Sequence, residues 1–237
     1  MDFSLSPKAT EYAAKLQAFM DNEVFPAENK YHQQREEFFK AGTPHKLPPV
    51  VDELKKKARA QGLWNLFLPH LDHGLTVTDY ASLAEITGWC PDLAPEAINC
   101  AAPDTGNMEL LDMFGTPEQK KQWLEPLLNG EIRSGFAMTE PDVASSDARN
   151  IKTSIKKDGD HYVINGTKWW TTGAMDERCK ILIVMGKTNP DSEEHKQQSM
   201  VLVPIDTPGV KVIRNLDVLG YTDQHGHAEI SFTDVRV

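Results

Sequence analysis

The hydrophobic period of this chain changes once, near residue 132, and no other feature constrains its fold as much. Before that point apolar residues return at intervals of three and four. After it they alternate with polar ones. A helix repeats its face about every 3.6 residues and a strand every two. The sequence therefore describes two kinds of structure in succession.

The first part reads as helices. Ser6-Pro7 places a capping hydroxyl before a proline at the first helical position, where its missing N–H is no loss. Tyr12, Leu16, Phe19 and Met20 then share a face, and Pro26 is expected to end or bend the helix. Residues 30–49, with Gly42, Pro44, Pro48 and Pro49, read as a short helix and a loop. Val51, Leu54 and Ala58 mark a second helix, stopped at Gln61-Gly62. Thr76 or Thr78 opens a third, with Tyr80, Leu83, Ala84 and Thr87 inward. Asp104–Phe114 is a fourth, closed by Gly115. Thr116-Pro117-Glu118-Gln119 has the form of a capping box and starts a helix buried through Trp123, Leu124, Leu127 and Leu128. Asn129-Gly130 ends it.

In the second part Ile151, Thr153 and Ile155 alternate with polar residues, as do Tyr162 and Ile164. Residues 181–185 and 200–203 are short apolar runs rich in β-branched residues, and Val210, Val212, Ile213, Ala228, Ile230 and Phe232 continue the pattern. Turns are expected at Asp158-Gly159-Asp160 and at Asn165-Gly166, and Asn189–Gln198 is charged enough for an exposed hairpin loop. Short strands at such spacing predict an antiparallel barrel or sandwich. The fold class is thus α+β: an all-α domain over 1–132, then an all-β domain over 133–237.

Composition narrows the class of partner. With 25 Lys and Arg against 35 Asp and Glu, the formal charge of −10 opposes nucleic acid and anionic membrane surfaces. No apolar run approaches the ~18 residues of a membrane-spanning helix. Met1-Asp2-Phe3-Ser4 lacks the basic and apolar stretches of a secretory signal. Cys90, Cys100 and Cys179 have neither metal-ligand nor redox spacing and read as reduced, buried thiols.

Two segments carry chemistry. Phe136–Asp147 runs from a strand into a turn of small hydroxyl residues, including Ser145 and Ser146. Such a turn lets the backbone approach a bulky anion; an ordinary strand end with Ser and Asp turn residues has the same pattern. Asn165–Ala174 sets Trp169 and Trp170 beside Thr171 and Thr172. Tryptophan beside hydrogen-bonding threonine suits a flat aromatic cofactor; a core strand with one tryptophan on each face reads the same way. His225-Gly226-His227 and the pair His70 and His73 lack a third ligand at matching spacing and read as loop features, so no metal site is expected.

In their order and spacing, the two segments resemble the middle domain of the acyl-CoA dehydrogenase family. There the first segment reads aromatic-x-x-Thr-Glu-Pro-x-x-Gly-Ser-Asp and the second Asn-Gly-x-Lys-x-Trp-Ile-Thr-Asn-Gly. Phe114–Lys120, Trp123–Leu127 and Asn129-Gly130-Glu131 are similar to the family's linker helix. Pro208-Gly209-Val210 and Ile230–Val237 are similar to its later strands, so the resemblance covers essentially the whole chain. Cys100–Met108, Val143–Ser146 and Trp169–Gly173 further resemble the branch of family members ten and eleven.

The resemblance implies an FAD-dependent enzyme that dehydrogenates an acyl-CoA thioester to the trans-2-enoyl-CoA and passes electrons to an electron-transfer flavoprotein. It implies that Phe136, Met138 and Thr139 line the flavin ring and that Ser145 and Ser146 lie near the pyrophosphate. Ser146 would also meet the CoA portion of the substrate. Trp170 would pack on the ring and Thr172 bond near its hydride-accepting nitrogen, with Thr171 grouped beside them. Two positions depart from the pattern: Ser145 stands where the family has glycine, and Gly173 where it has asparagine. Glu140 is implied to be structural. The family's base lies in a C-terminal helical bundle, which is expected to be absent here, so no catalytic base is expected in this chain. A homodimer or homotetramer is implied for the whole protein, located in a bacterial cytoplasm or, in a eukaryote, in a mitochondrion or peroxisome. The alternatives are a truncated, non-catalytic relative that binds CoA or flavin, and an acyl-CoA oxidase-like flavoenzyme.

Overall fold

The computed structural model describes residues 4–69 and 71–237. His70 and the first three residues of the N-terminal segment read above lie outside the described residues. The chain divides into two compact units, Met1–Glu109 and Leu110–Val237.

The first unit is helical: α1 (Pro7–Phe19), α2 (Phe25–Lys40), α3 (Pro49–Ala60), α4 (Val77–Thr87), the single turn α5 (Ala94–Ala97) and the start of α6 (Asp104–Phe114). Ser6 caps α1 by accepting the Ala9 N–H at 3.0 Å. Thr76 and Asp79 form a reciprocal capping box at α4. Leu16, Phe19, Met20, Leu54, Leu63, Leu83 and Ile98 are buried in its core.

Pro26 does not stop the first helix. A wide turn over Met20–Val24 links α1 to α2, and the N–H of Phe25 reaches back five residues to Met20 O. The helix then runs to Lys40, further than the short helix expected there. The same device recurs a hundred residues on. Lys120–Leu124 widens between α7 (Pro117–Gln119) and α8 (Glu125–Leu128), and Glu125 N–H reaches Lys120 O just before Pro126. A proline removes one bond and its ring crowds the carbonyl four residues back. One wider turn absorbs both effects without ending the rod.

The second unit holds the end of α6, then α7 and α8, and seven strands: β1 (Arg133–Ala137), β2 (Ser154–Asp158), β3 (His161–Thr172), β4 (Cys179–Lys187), β5 (Gln198–Pro204), β6 (Val210–Asn215) and β7 (His227–Arg236). They form one sheet in the order β1-β4-β2-β3-β7-β6, with β5 on β4. The β2–β3, β3–β7, β4–β5 and β6–β7 pairings are antiparallel, as the alternation predicts. β1 and the start of β2 instead run parallel to β4. Side-chain alternation fixes faces, not strand direction, so the parallel pairs had no signature. Ile155, Ile164, Leu182, Val184, Val203, Ile230, Phe232 and Val235 fill the core.

Asp158-Gly159-Asp160 makes the expected hairpin turn, with Gly159 at φ +62°. Asn165-Gly166 does not turn at all but lies inside β3. The β3–β7 register slips there, and Asp234 is the extra residue of β7, at φ +47°. Asn165 closes this bulge with its side-chain amide, accepting the Asp234 N–H at 2.9 Å and donating to its carboxylate at 3.0 Å. Gly166 is needed for space: a Cβ there would stand 2.3 Å from Thr153 Oγ1 and 2.9 Å from Thr153 Cα. Gly166→Ala should therefore destabilise the protein by about 1–3 kcal/mol, the range of overpacked interiors. A urea midpoint equal to wild type would show that the Thr153 segment can yield.

All three cysteines are buried and unbridged. Burial pushes the Cys90 thiol up to about 12 and the Cys100 thiol up to about 11, so neither is a thiolate nucleophile at neutral pH.

Candidate functional site

The two chemistry-bearing segments meet along one edge of β3. Thr139 and Trp169 lock them together in both directions: Trp169 N–H donates to Thr139 O at 3.0 Å, and the Thr139 hydroxyl donates to Trp169 O at 2.5 Å. One residue before Trp169, the fully buried Lys168 ammonium donates to Met138 O at 2.7 Å and to Glu140 Oε1 at 2.9 Å, on either side of Thr139.

Glu140 is the hub of the first segment. Its carboxylate accepts the N–H groups of Lys152 and Thr153 at 2.7 and 2.8 Å as well as the lysine. Burial alone would raise its pKa, but these donors outweigh burial and hold it below the ordinary carboxyl value. Its N–H is taken by Ser145 Oγ at 2.8 Å. A buried carboxylate held by three donors of its own frame serves that frame.

That network spends Ser145, which is buried within the turn, and leaves Ser146 exposed. Ser146 borders a surface pocket lined also by Asp147, Arg149, Met185, His195 and Gln198. Arg149 spans it, bonded to Asp147 and to Glu194 of the β4–β5 loop at 3.0 Å.

The β3–β7 pair bulges a second time, now in β3 at Trp170. Lys168 pairs with Ile230 and Thr171 with Ala228, so β3 spends one residue more than β7. Trp170 is that residue, in a left-handed conformation at φ +54°, and its side chain is thrown out to 41% exposure. A bulky residue at positive φ is uncommon and strained. Thr171 beyond it is fully buried, its methyl packed beneath Gly135. Thr172 returns to the surface side, half-buried, and its hydroxyl lies 2.9 Å from His227 Nδ1. The His227 ring lies 6.1 Å from that of Trp170. Phe136, Met138 and Thr139 are half-buried along the neighbouring segment.

Two contributors escape the sequence reading. Lys168 lies in the second segment four residues after the buried Ile164, so strand alternation turns it inward, where an ammonium needs a counter-charge. His227 reads with His225 as a loop histidine. It is in fact the first residue of β7, and its alternation with the buried Ala228 and Ile230 was the available signal.

Comparison with known proteins places this geometry. Residues 6–131 match the acyl-CoA dehydrogenase N-terminal domain and residues 135–235 the acyl-CoA dehydrogenase middle domain. FadE2 of Mycobacterium tuberculosis, a probable acyl-CoA dehydrogenase, is 61% identical over 239 residues, covering 100% of this chain and 58% of FadE2. Human acyl-CoA dehydrogenase family member 11 is 54% identical over 242 residues, covering 99% of this chain and 30% of that protein. A solved Mycobacterium abscessus structure assigned as an acyl-CoA dehydrogenase superposes with a TM-score of 0.93 at 48% identity, over 99% of this chain and 59% of that one. A glutaryl-CoA dehydrogenase from Mycobacterium smegmatis, solved with FADH2, shares the fold at a TM-score of 0.70 and 22% identity, over 98% and 54% of the two chains. This chain thus spans 30% to 59% of the length of FadE2, human family member 11 and the Mycobacterium abscessus protein. It carries the N-terminal and middle domains of their architecture, and it belongs to the acyl-CoA dehydrogenase family.

Proposed function

We propose that this chain supplies the flavin-binding surface, and part of the acyl-CoA-binding surface, of an FAD-dependent acyl-CoA dehydrogenase. The observation that carries the reading is the Trp170 bulge: a strained strand exposes an indole beside the Thr172 hydroxyl, over a segment locked by Thr139. Strain of this kind persists where the surroundings hold it for a purpose. An exposed indole with a polar neighbour fits the face of a flat, heteroatom-bearing ring.

FAD would accept the β-hydride of an acyl-CoA thioester as the α-proton leaves, giving the trans-2-enoyl-CoA. In this reading Trp170 packs on the ring, Phe136 and Met138 line it, and Thr139 and Thr172 bond its polar edge. Ser145 and Ser146 lie toward the pyrophosphate, and Ser146, at the mouth of its pocket, also meets the CoA portion. Thr171, enclosed beneath the strand, acts by setting the bulge. The α-proton requires a carboxylate about 3 Å from the carbon. Glu140, held in its frame, is not that group; by the family resemblance the base comes from a C-terminal helical bundle. Electrons then pass to an electron-transfer flavoprotein, and the whole protein works as a homodimer or homotetramer. No helix among the described residues is long and apolar enough to cross a membrane. The compartment follows the host: cytoplasm in a bacterium, mitochondrion or peroxisome in a eukaryote.

Protein made from the whole reading frame should lose its visible flavin absorbance when mixed anaerobically with a panel of straight and branched acyl-CoA thioesters. No bleaching with any of them would overturn the assignment. Rapid reoxidation by oxygen would turn it toward an oxidase. Trp170→Ala should weaken FAD binding by about tenfold, the worth of one aromatic contact. Fluorescence titration reads this directly, and an unchanged Kd would remove Trp170 from the site.

A further inference from the structure

The Thr172 hydroxyl is not free to turn. Its oxygen lies 2.9 Å from His227 Nδ1, and the opposite ring nitrogen, Nε2, lies 2.8 Å from Asp223 Oδ2. The ring is held from its backbone too. His227 N–H donates to Asn215 Oδ1 at 2.8 Å, and its carbonyl accepts the Leu216 N–H at 2.8 Å. The side chain is 17% exposed and lies against Trp170. Asp223, Thr172 and Trp170 therefore fix one orientation of the imidazole.

An ionised carboxylate only accepts, so the nitrogen facing Asp223 must carry a proton. In a neutral imidazole the other nitrogen is then a lone-pair acceptor. Among the described residues, the proton facing that lone pair belongs to the Thr172 hydroxyl. We propose that His227 is a positioning residue: anchored by Asp223, it draws the Thr172 O–H inward to Nδ1 and leaves the threonine oxygen facing outward as an acceptor for a ligand N–H. The inference rests on the reading of Thr172 as the group beside the hydride-accepting nitrogen of FAD. That nitrogen offers a lone pair when the ring is oxidised and an N–H when it is reduced. An outward acceptor at Thr172 therefore favours the reduced ring.

The test has two readouts. The first needs no cofactor. In the ¹⁵N-histidine chain at about pH 8, the His227 ring, assigned by loss of its signals in His227→Gln, should show a protonated Nε2 and a bare Nδ1. A proton on Nδ1 instead would overturn the proposal. Asp223→Ala should convert the single tautomer to a mixture, and persistence of one tautomer there would also count against it. The second readout is the midpoint potential of FAD bound to the protein made from its whole reading frame. His227→Phe removes the inward acceptor, and the preference for reduced over oxidised FAD should fall about tenfold, the size of one hydrogen bond. Thr172→Val should give a similar fall, and adding His227→Phe to it should change nothing more. Additive effects, or an unchanged potential in His227→Phe with its thermal midpoint preserved, would overturn the relay while the flavin assignment stood. A protein that holds no FAD would sink the flavin assignment, and the ring spectra would still decide the direction of the Thr172 bond.

Discussion

Glu140→Ala is expected to lower the unfolding free energy by about 3–5 kcal/mol, the range for breaking a buried ion pair from one side. The substitution strands the Lys168 ammonium, which is fully buried, and frees the Lys152 and Thr153 N–H groups that the carboxylate holds. Lys168→Met should act in the same range, because Glu140 then keeps a buried charge with two backbone donors in place of three groups. The double variant, Glu140→Met with Lys168→Met, should recover part of the loss, since a charge-free interior avoids the desolvation penalty. Guanidinium unfolding of the four proteins decides the matter: single variants within about 1 kcal/mol of wild type, the level of exposed pairs, would show that the pair contributes little. The same variants should bind FAD poorly, because the lysine also holds Met138 O. The pH dependence follows in sign. Glu140 has a folded pKa below its ordinary value of 4.5. Its contribution is fully present above that value and is lost as pH falls through the lower, folded one. Wild type should accordingly weaken more steeply than Glu140→Gln as acid is added.

The second large effect lies in the helical unit. Glu96→Ala should also lower stability by about 3–5 kcal/mol. Lys55 and Glu96 form a close ion pair, with side chains only 8% and 3% exposed. Lys55 sits on the inner face of α3 between Leu54 and Ala58, and Glu96 lies in the single turn α5. So short a helix has little stability of its own, and the ion pair is a main tether. Loss should therefore be local before it is global. Amide exchange should quicken first across residues 94–100, where Asn65 N–H bonds Ile98 O at 3.0 Å and the Asn99 amide bonds Asn65 Oδ1 at 2.6 Å. Uniform acceleration over the whole helical unit would show that α5 is not a separate element.

What the sequence made legible follows from what is local. The capping box at Thr116, the α6 bounds and the Gly159 turn each depend on a few adjacent residues, and each is where the pattern put it; α4 opens at Thr76, one of the two threonines the pattern offered. Pro26 and Asn165-Gly166 are local signals that tertiary structure reused, one in a widened helical turn and one facing a bulge in β7. The parallel pairing of β1 with β4 joins residues more than forty apart, and no short-range pattern encodes it. In the site, Trp170 and Thr172 could be read from motif and chemistry. His227 could not be joined to them, because the pairing of Thr172 with His227 exists only once β3 and β7 are in register. Lys168 and Glu140 likewise meet across 28 positions.

The one-residue excess of β3 at Trp170 has a consequence for how such a surface can change over time. Lys168 and Thr171 both point inward although three positions separate them, because the inserted residue resets which side each later residue faces. The strained, bulged Trp170 is therefore specified by chain length as much as by residue type. A substitution at Thr171 trades one side chain for another, whereas deleting a single residue between Lys168 and Thr171 would restore plain alternation: Thr171 would stay inward opposite Ala228, and the bulge itself would be gone. Lineages carrying this surface should tolerate exchange of letters here far better than gaps, because a gap removes the bulge whatever residues remain.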